Sequence, residues 1–178
     1  KLAKQADTLM LFHLLSDSEL GGLLENLGYE CDGEFFERNL RYYEQRTAHG
    51  STLSGMVHAW LHSRQDPHRG WGLFREALES DINDVQGGTT AEGIHLGAMA
   101  GTVDLVQRCY GGIEVRDDKL RLDPRLPEEL HELRLSIIYR SQPIELQFTH
   151  ERIVARLTED ATRGATVEVE ILGESRCL

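Results

Sequence analysis

The apolar residues of this chain change their period once, near residue 110, and that change limits the possible folds more than any other feature. Up to Tyr110 they recur every three or four residues, the spacing of one helix face. From Ile113 onward they alternate, the spacing of half-buried strands. A helical region over 1–110 is therefore expected to precede a β-module over 111–178, with the boundary at Gly111-Gly112.

Local signals predict six helices. Leu2, Leu9, Met10 and Leu14 fit the first. Ser16-Asp-Ser-Glu19 is a capping-box pattern, a hydroxyl followed three residues later by a glutamate, and it opens a helix carrying Leu20, Leu23, Leu24 and Leu27, with Gly28 as its stop. Asp32 is placed to cap a third helix with Phe35, Phe36, Leu40 and Tyr43. Ser51 is placed to cap a fourth with Leu53, Val57, Trp60 and Leu61 inward. Asp66-Pro67 combines a cap with proline at the first helical position, where a missing N–H costs nothing, and starts a fifth with Trp71, Phe74 and Leu78. After a polar loop over Asp81–Gly88, Thr89-Thr-Ala-Glu92 is expected to open a sixth, with His95 on its first turns. In that helix Gly97 and Gly101 would permit close packing. Short connections make sequential helices antiparallel neighbours.

Beyond the boundary, Asp117-Asp118 sits between alternating residues and predicts a hairpin. Leu133–Tyr139, Ile144–Phe148, Arg152–Leu157 and Thr166–Ile171 continue the alternation. Together they predict a small antiparallel, sandwich-like module.

The formal net charge of −11 argues against a nucleic-acid or anionic-membrane partner, both of which require a basic surface. It leaves room for a local positive site for a small anion. Cys31, Cys109 and Cys177 are scattered and odd in number, which reads as free thiols in a reducing compartment, so a cytoplasmic location is expected. No apolar run reaches membrane-spanning length. The sequence begins inside a helical pattern at Lys1, without methionine, so the start of a larger protein is expected to lie upstream.

Two helix starts have the chemistry of an anion site. His49-Gly-Ser-Thr-Leu-Ser54 and Gln86-Gly-Gly-Thr-Thr-Ala-Glu-Gly-Ile-His95 each set glycines and hydroxyls where a helix offers unpaired amides and the positive end of its dipole. Capping alone also accounts for each. Lys4 and Gln5 can reach sugar hydroxyls, or simply solvate a helix end. His58 and His62 stand at i, i+4, a spacing that can hold a metal, but no adjacent glutamate completes an HExxH pattern. They read as ordinary surface or interface histidines, and no metal site or cofactor is expected.

These motifs together resemble glycoside hydrolase family 65, the maltose, trehalose, kojibiose and nigerose phosphorylases and some hydrolases. The likeness rests on Lys4-Gln-Ala-Asp7, His49–Ser54, the long stretch Gln86–Gly101 and Leu122-Asp-Pro-Arg-Leu-Pro127 with Leu135–Arg140, and it covers nearly the whole chain. The resemblance implies a mainly α plus β chain, half of an (α/α)6 barrel of about six antiparallel helices followed by a small antiparallel β-module. It implies that Lys4 and Gln5 hold the glucose being cleaved and that Ser51 and Thr52 are the hydroxyl pair holding phosphate, where many relatives carry two serines. His95 would complete the phosphate site, with Thr89, Thr90 and Glu92 nearby.

The family inverts configuration in one displacement, with phosphate as co-substrate, no cofactor, and β-glucose 1-phosphate as product. An inverting hydrolase needs a second carboxylate to activate water, whereas phosphate arrives already anionic. The family's general acid is a glutamate upstream of the lysine motif. It would precede Lys1, so the chain alone is expected to be inactive and to be completed by the missing N-terminal part of the same enzyme or by self-association. A half barrel also leaves apolar helix faces uncovered. Two other readings stay open: a family 65 hydrolase, for which Glu92 is the carboxylate to watch, and a non-catalytic sugar-binding module. Which disaccharide is cleaved, the oligomeric state and the role of the β-module are not legible.

Overall fold

A computed structural model of the chain describes residues 2–3, 5–48, 51–84, 87–88, 91 and 93–178. The chain divides into two compact units, Lys1–Thr102 and Val103–Leu178. Among the described residues the α-helices are α1 (Met10–Leu14), α2 (Asp17–Asn26), α3 (Phe35–Glu44), α4 (Thr52–Ser63), α5 (Pro67–Glu79) and α6 (Leu96–Asp104).

Helix boundaries follow local chemistry where that chemistry is strong. The Ser16 hydroxyl accepts from the Glu19 amide at 3.3 Å, and the Glu19 carboxylate accepts from the Ser16 amide at 2.9 Å, a complete capping box. Gly28, at φ +82°, ends α2: its amide donates to Glu25 and that of Tyr29 to Leu24, the pairing of a Schellman motif. Asp66 caps α5 by accepting from the Arg69 amide at 3.1 Å, with Pro67 in the first turn.

Three expectations shift. The first helix is only the five residues of α1. Asp32 does not cap α3, whose N-cap is Glu34; it accepts instead from the Glu34 amide and from Arg38 at 2.8 Å. The sixth helix starts at Leu96 rather than near Thr89, since Gly93 sits at φ +120°, far from helical geometry, and Ile94 is exposed.

Helix α4 is the centre of the first unit. Met56 and every residue from there to Ser63 is buried, as befits a helix apolar on most sides. α1 and α5 pack on it. Phe12 of α1 meets Phe36 of α3 edge to face at 5.1 Å. Gly70 of α5 lies against Ser63, where a Cβ would come within 2.6 Å of the Ser63 Cα. Only Leu20 of the four leucines expected to face inward from α2 is buried; Leu23 and Leu27 are exposed, as are Leu14, Leu78 and Leu96 elsewhere in the unit.

The second unit opens with a π-helical turn, Leu105–Tyr110. Its strands are β1 (Ile113–Arg116), β2 (Lys119–Leu122), β3 (Glu132–Tyr139), β4 (Gln142–Thr149), β5 (Ile153–Leu157), β6 (Glu168–Ile171) and β7 (Glu174–Cys177). They form a four-stranded sheet in the order β1-β2-β6-β7 and a three-stranded sheet in the order β3-β4-β5. The expected antiparallel pairing holds except at β2–β6, which is parallel with Leu120 opposite Val169. Two-residue turns at Asp117-Asp118, Arg140-Ser141 and Leu172-Gly173, all at positive φ, close three hairpins with the twist that adjacent strands require. Leu120, Leu122, Leu133, Ile144, Leu146, Phe148 and Val169 form the buried positions of the strands.

Candidate functional site

The segment carrying the lysine motif is fastened beside the start of α4. Ala3 pairs with Thr47 as a parallel bridge: its amide donates to the Arg46 carbonyl at 2.7 Å, and its carbonyl accepts from the Ala48 amide at 2.8 Å. Three residues on, the Ala6 amide donates to the hydroxyl of buried Ser54 at 3.2 Å. Gln5 is thus held, half-buried, between two backbone anchors, one just before α4 and one in its first turn. Lys4 lies outside the described residues, as do His49, Gln86, Thr89, Thr90 and Glu92.

Ser51 is the N-cap of α4, in extended conformation, and its hydroxyl accepts from the Leu53 amide at 3.3 Å. Thr52 begins the helix, and both residues are half-buried. Their hydroxyls stand at the amide-rich end of a twelve-residue helix, where the dipole favours negative charge.

His95 lies one residue before α6 rather than on its first turns, and its carbonyl accepts from the amides of Ala98 and Met99. It is gripped by Asp81. One carboxylate oxygen meets His95 Nδ1 at 2.5 Å, and the other accepts from the His95 backbone amide at 2.9 Å. The ring contact holds the Asp81 carboxyl below the usual carboxylate range against the opposing push of burial, with the amide bond and the His95 charge adding to it. Asp84, in the same loop, accepts from the Gly88 amide with both carboxylate oxygens, at 2.9 and 2.7 Å. The helices behind the two motifs touch: a Cβ on Gly101 of α6 would fall 2.7 Å from the Met56 side chain of α4, so Gly101 is the packing glycine the sequence suggested. Gly97 has open space instead.

His58 and His62 are buried, not surface residues. With Glu44 they offer ligand atoms within 4.8 Å of one another. His62 Nε2 lies 2.8 Å from Glu44 Oε1, and the Arg69 guanidinium bonds the same oxygen. A fixed cation on that oxygen opposes a metal there, and the cluster ties α3, α4 and α5 together.

Sequence reading missed Asp81, Asp84 and Ser54 as contributors. Each acts across a gap in sequence or through a backbone amide, and neither leaves a spacing signature. The capping preference of Asp and Ser for backbone N–H groups was the only available signal.

Residues 1–104 match the model of the glycosyl hydrolase family 65 central catalytic domain, and residues 113–175 match that of the family 65 C-terminal domain. The chain belongs to glycosyl hydrolase family 65. An uncharacterized glycosyl hydrolase of Mycobacterium tuberculosis is 48% identical over 171 residues, 96% of this chain and 13% of the relative. The trehalose 6-phosphate phosphorylase of Lactococcus lactis is 34% identical, across 90% of this chain and 21% of its own length. The kojibiose phosphorylase of Halothermothrix orenii is 28% identical, across 98% and 21%. A solved structure of a candidate kojibiose phosphorylase from the human microbiome superposes with a TM-score of 0.75 at 21% identity, covering 99% of this chain and 21% of that one. The fold is accordingly a partial helical barrel followed by a β-module. The chain spans between about an eighth and about a fifth of the length of these relatives. No helix among the described residues is long and apolar enough to cross a membrane.

Proposed function

We propose that this chain supplies part of the sugar site and most of the phosphate site of an inverting α-glucoside phosphorylase, one that cleaves a glucosyl disaccharide with inorganic phosphate. The observation that carries this reading is the fastening of Ala3 and Ala6, on either side of the motif, beside the start of α4, through Ala3–Thr47 and Ala6–Ser54. It supports a single site in which Lys4 and Gln5 hold glucose while Ser51, Thr52 and His95 hold phosphate. The 1–110 region would be barrel and the 111–178 region its β-module.

In the proposed reaction a phosphate oxygen forms a bond to the anomeric carbon as the glycosidic C–O bond breaks on the opposite face. A carboxylic acid gives its proton to the departing oxygen, and the product is β-glucose 1-phosphate. That acid is assigned to a glutamate in the part of the protein preceding Lys1. Phosphate needs no base to activate it, only a cradle that holds it in line with the sugar, which turns a bimolecular attack into an effectively intramolecular one. Hydroxyls and helix amides at Ser51-Thr52 suit that task.

The test uses the complete gene product with trehalose, trehalose 6-phosphate, kojibiose, nigerose and maltose, with and without phosphate. The relatives' names justify the phosphorylated sugar. Glucose 1-phosphate that requires phosphate, and that is lost in Ser51→Ala, is the expected result. Equal glucose release without phosphate would make the enzyme a hydrolase and turn attention to Glu92. Sugar binding without turnover would favour the non-catalytic module.

A further inference from the structure

Asp81 uses its two carboxylate oxygens on a single residue fourteen positions away. The oxygen at 2.5 Å from Nδ1 fixes the plane and tilt of the imidazole ring. The oxygen at 2.9 Å from the amide fixes the backbone from which that ring projects. Both groups are largely withdrawn from solvent, the Asp81 side chain 12% exposed and that of His95 28%. A carboxylate beside Nδ1 accepts a hydrogen bond from its N–H, which leaves Nε2 for a second partner.

The loop shows the same device a second time. Asp84 holds the Gly88 amide, with Gly87 and Gly88 at positive φ. The two aspartates therefore anchor both ends of the stretch from Gly88 to His95, the stretch that carries the hydroxyl-rich motif.

We infer that Asp81 is a positioning residue for phosphate: its carboxylate fixes the backbone and ring of His95, so that Nε2 is presented to the bound anion. The inference rests on the phosphate reading above. The Asp81 carboxylate faces Nδ1, the other ring nitrogen, so Nε2 is the atom turned away from it. An amide at position 81 can still accept from Nδ1, but its NH2 group cannot also accept from the His95 backbone, and it brings no charge.

The experiment measures phosphorolysis by the complete gene product, with the best disaccharide of the panel, for wild type, Asp81→Asn, Asp81→Ala, His95→Ala and the double variant Asp81→Ala/His95→Ala. Asp81→Asn should raise KM for phosphate roughly ten- to a hundredfold, the range of a lost charge-assisted hydrogen bond. KM for the disaccharide should stay within about twofold, the scatter of an unaffected site. In the His95→Ala background, Asp81→Ala should add less than about threefold, because two residues that act as one unit are not additive. An unchanged phosphate KM in Asp81→Asn would overturn the inference. So would effects of Asp81→Ala and His95→Ala that multiply, or an equal rise in both KM values, which marks general loosening of the fold. If wild type makes no phosphate-dependent glucose 1-phosphate, the phosphate reading falls and this inference falls with it. If wild type does and Asp81→Asn is silent, only the inference falls.

Discussion

Gly70→Ala and Gly72→Ala, two substitutions on the same helix, should change stability in opposite directions. At Gly70 a Cβ would lie 2.4 Å from Ser63 Oγ, 2.5 Å from Ser63 N and 2.6 Å from Ser63 Cα. Heavy atoms in contact prefer about 3.5 Å or more, so α5 must move away from α4 by roughly 1 Å. The hydroxyl can rotate, but the backbone N and Cα cannot. Overpacking of this kind costs about 1–3 kcal/mol, and the backbone neighbours place Gly70→Ala toward the upper end. Alanine returns about 1 kcal/mol of helix propensity. The net is a loss of roughly 1–2 kcal/mol. Gly72 is exposed, with nothing within 4 Å of its Cβ position, so Gly72→Ala keeps the propensity gain alone. The two variants should differ by about 2–3 kcal/mol, or about 1 M in urea midpoint at a typical m-value. Urea denaturation of the chain, followed by tryptophan fluorescence, is well placed to read this, because its two tryptophans, Trp60 and Trp71, lie on α4 and α5. A thermal shift on the complete gene product repeats the comparison. If Gly70→Ala proves as stable as Gly72→Ala, the two helices do not approach as closely as described and the reasoning fails.

Ser54→Ala removes the acceptor of the Ala6 amide, so it should weaken the fastening of the lysine segment and raise the disaccharide KM of the complete enzyme more than its phosphate KM; equal values for wild type and variant would remove this link. Gly112→Ala should destabilise by more than about 3 kcal/mol, because it combines a left-handed backbone with a Cβ 1.9 Å from the Asp123 carbonyl oxygen. Gly173→Ala shares only the positive φ and should cost about 1 kcal/mol, a contrast thermal melts would resolve. Asp32, held down by its bond to Arg38, Asp81, by its bond to His95, and Glu132, by its bonds to Gln147 and Arg134, all ionise below their ordinary range. Their folded pKa values lie below the unfolded ones, so their contribution is complete above about pH 5 and fades as pH falls through the unfolded values near 4 toward the folded ones. Denaturation midpoints should drop over that interval, and Asp32→Asn with Glu132→Gln should flatten the slope; an unchanged slope would refute it.

What could be read from the sequence was local. The capping box at Ser16, the Asp66-Pro67 start and the Asp117-Asp118 turn each involve residues within three or four positions, and each stands as expected. Of the helix expected from Thr89, the described part begins at Leu96, past Gly93 at positive φ, while Thr89, Thr90 and Glu92 lie outside the described residues. β7 was missed because Glu-Ser-Arg-Cys offers no apolar alternation and all four residues are exposed. The parallel β2–β6 pairing joins segments nearly fifty residues apart, a distance over which a single sequence carries no pairing signal. At the candidate site the helix-start chemistry was legible at Ser51, while the Asp81 grip on His95 was not, because it depends on where a loop folds back.

The parallel ladder has a consequence for how the β-module assembles. Each hairpin closes over two residues, whereas joining Leu120 to Val169 closes a loop that contains the whole β3-β4-β5 sheet. The chain entropy of that closure is roughly 3.4 kcal/mol from (3/2)RT ln n alone, and three register pairs must offset it. The three-stranded sheet folded first shortens the gap and lowers that cost, so the order of events is set by topology rather than by strand strength. Pulse-labelled hydrogen exchange should find amides of β4 protected before those of β6, and a module cut within β3–β5 should lose the neighbouring sheet as well.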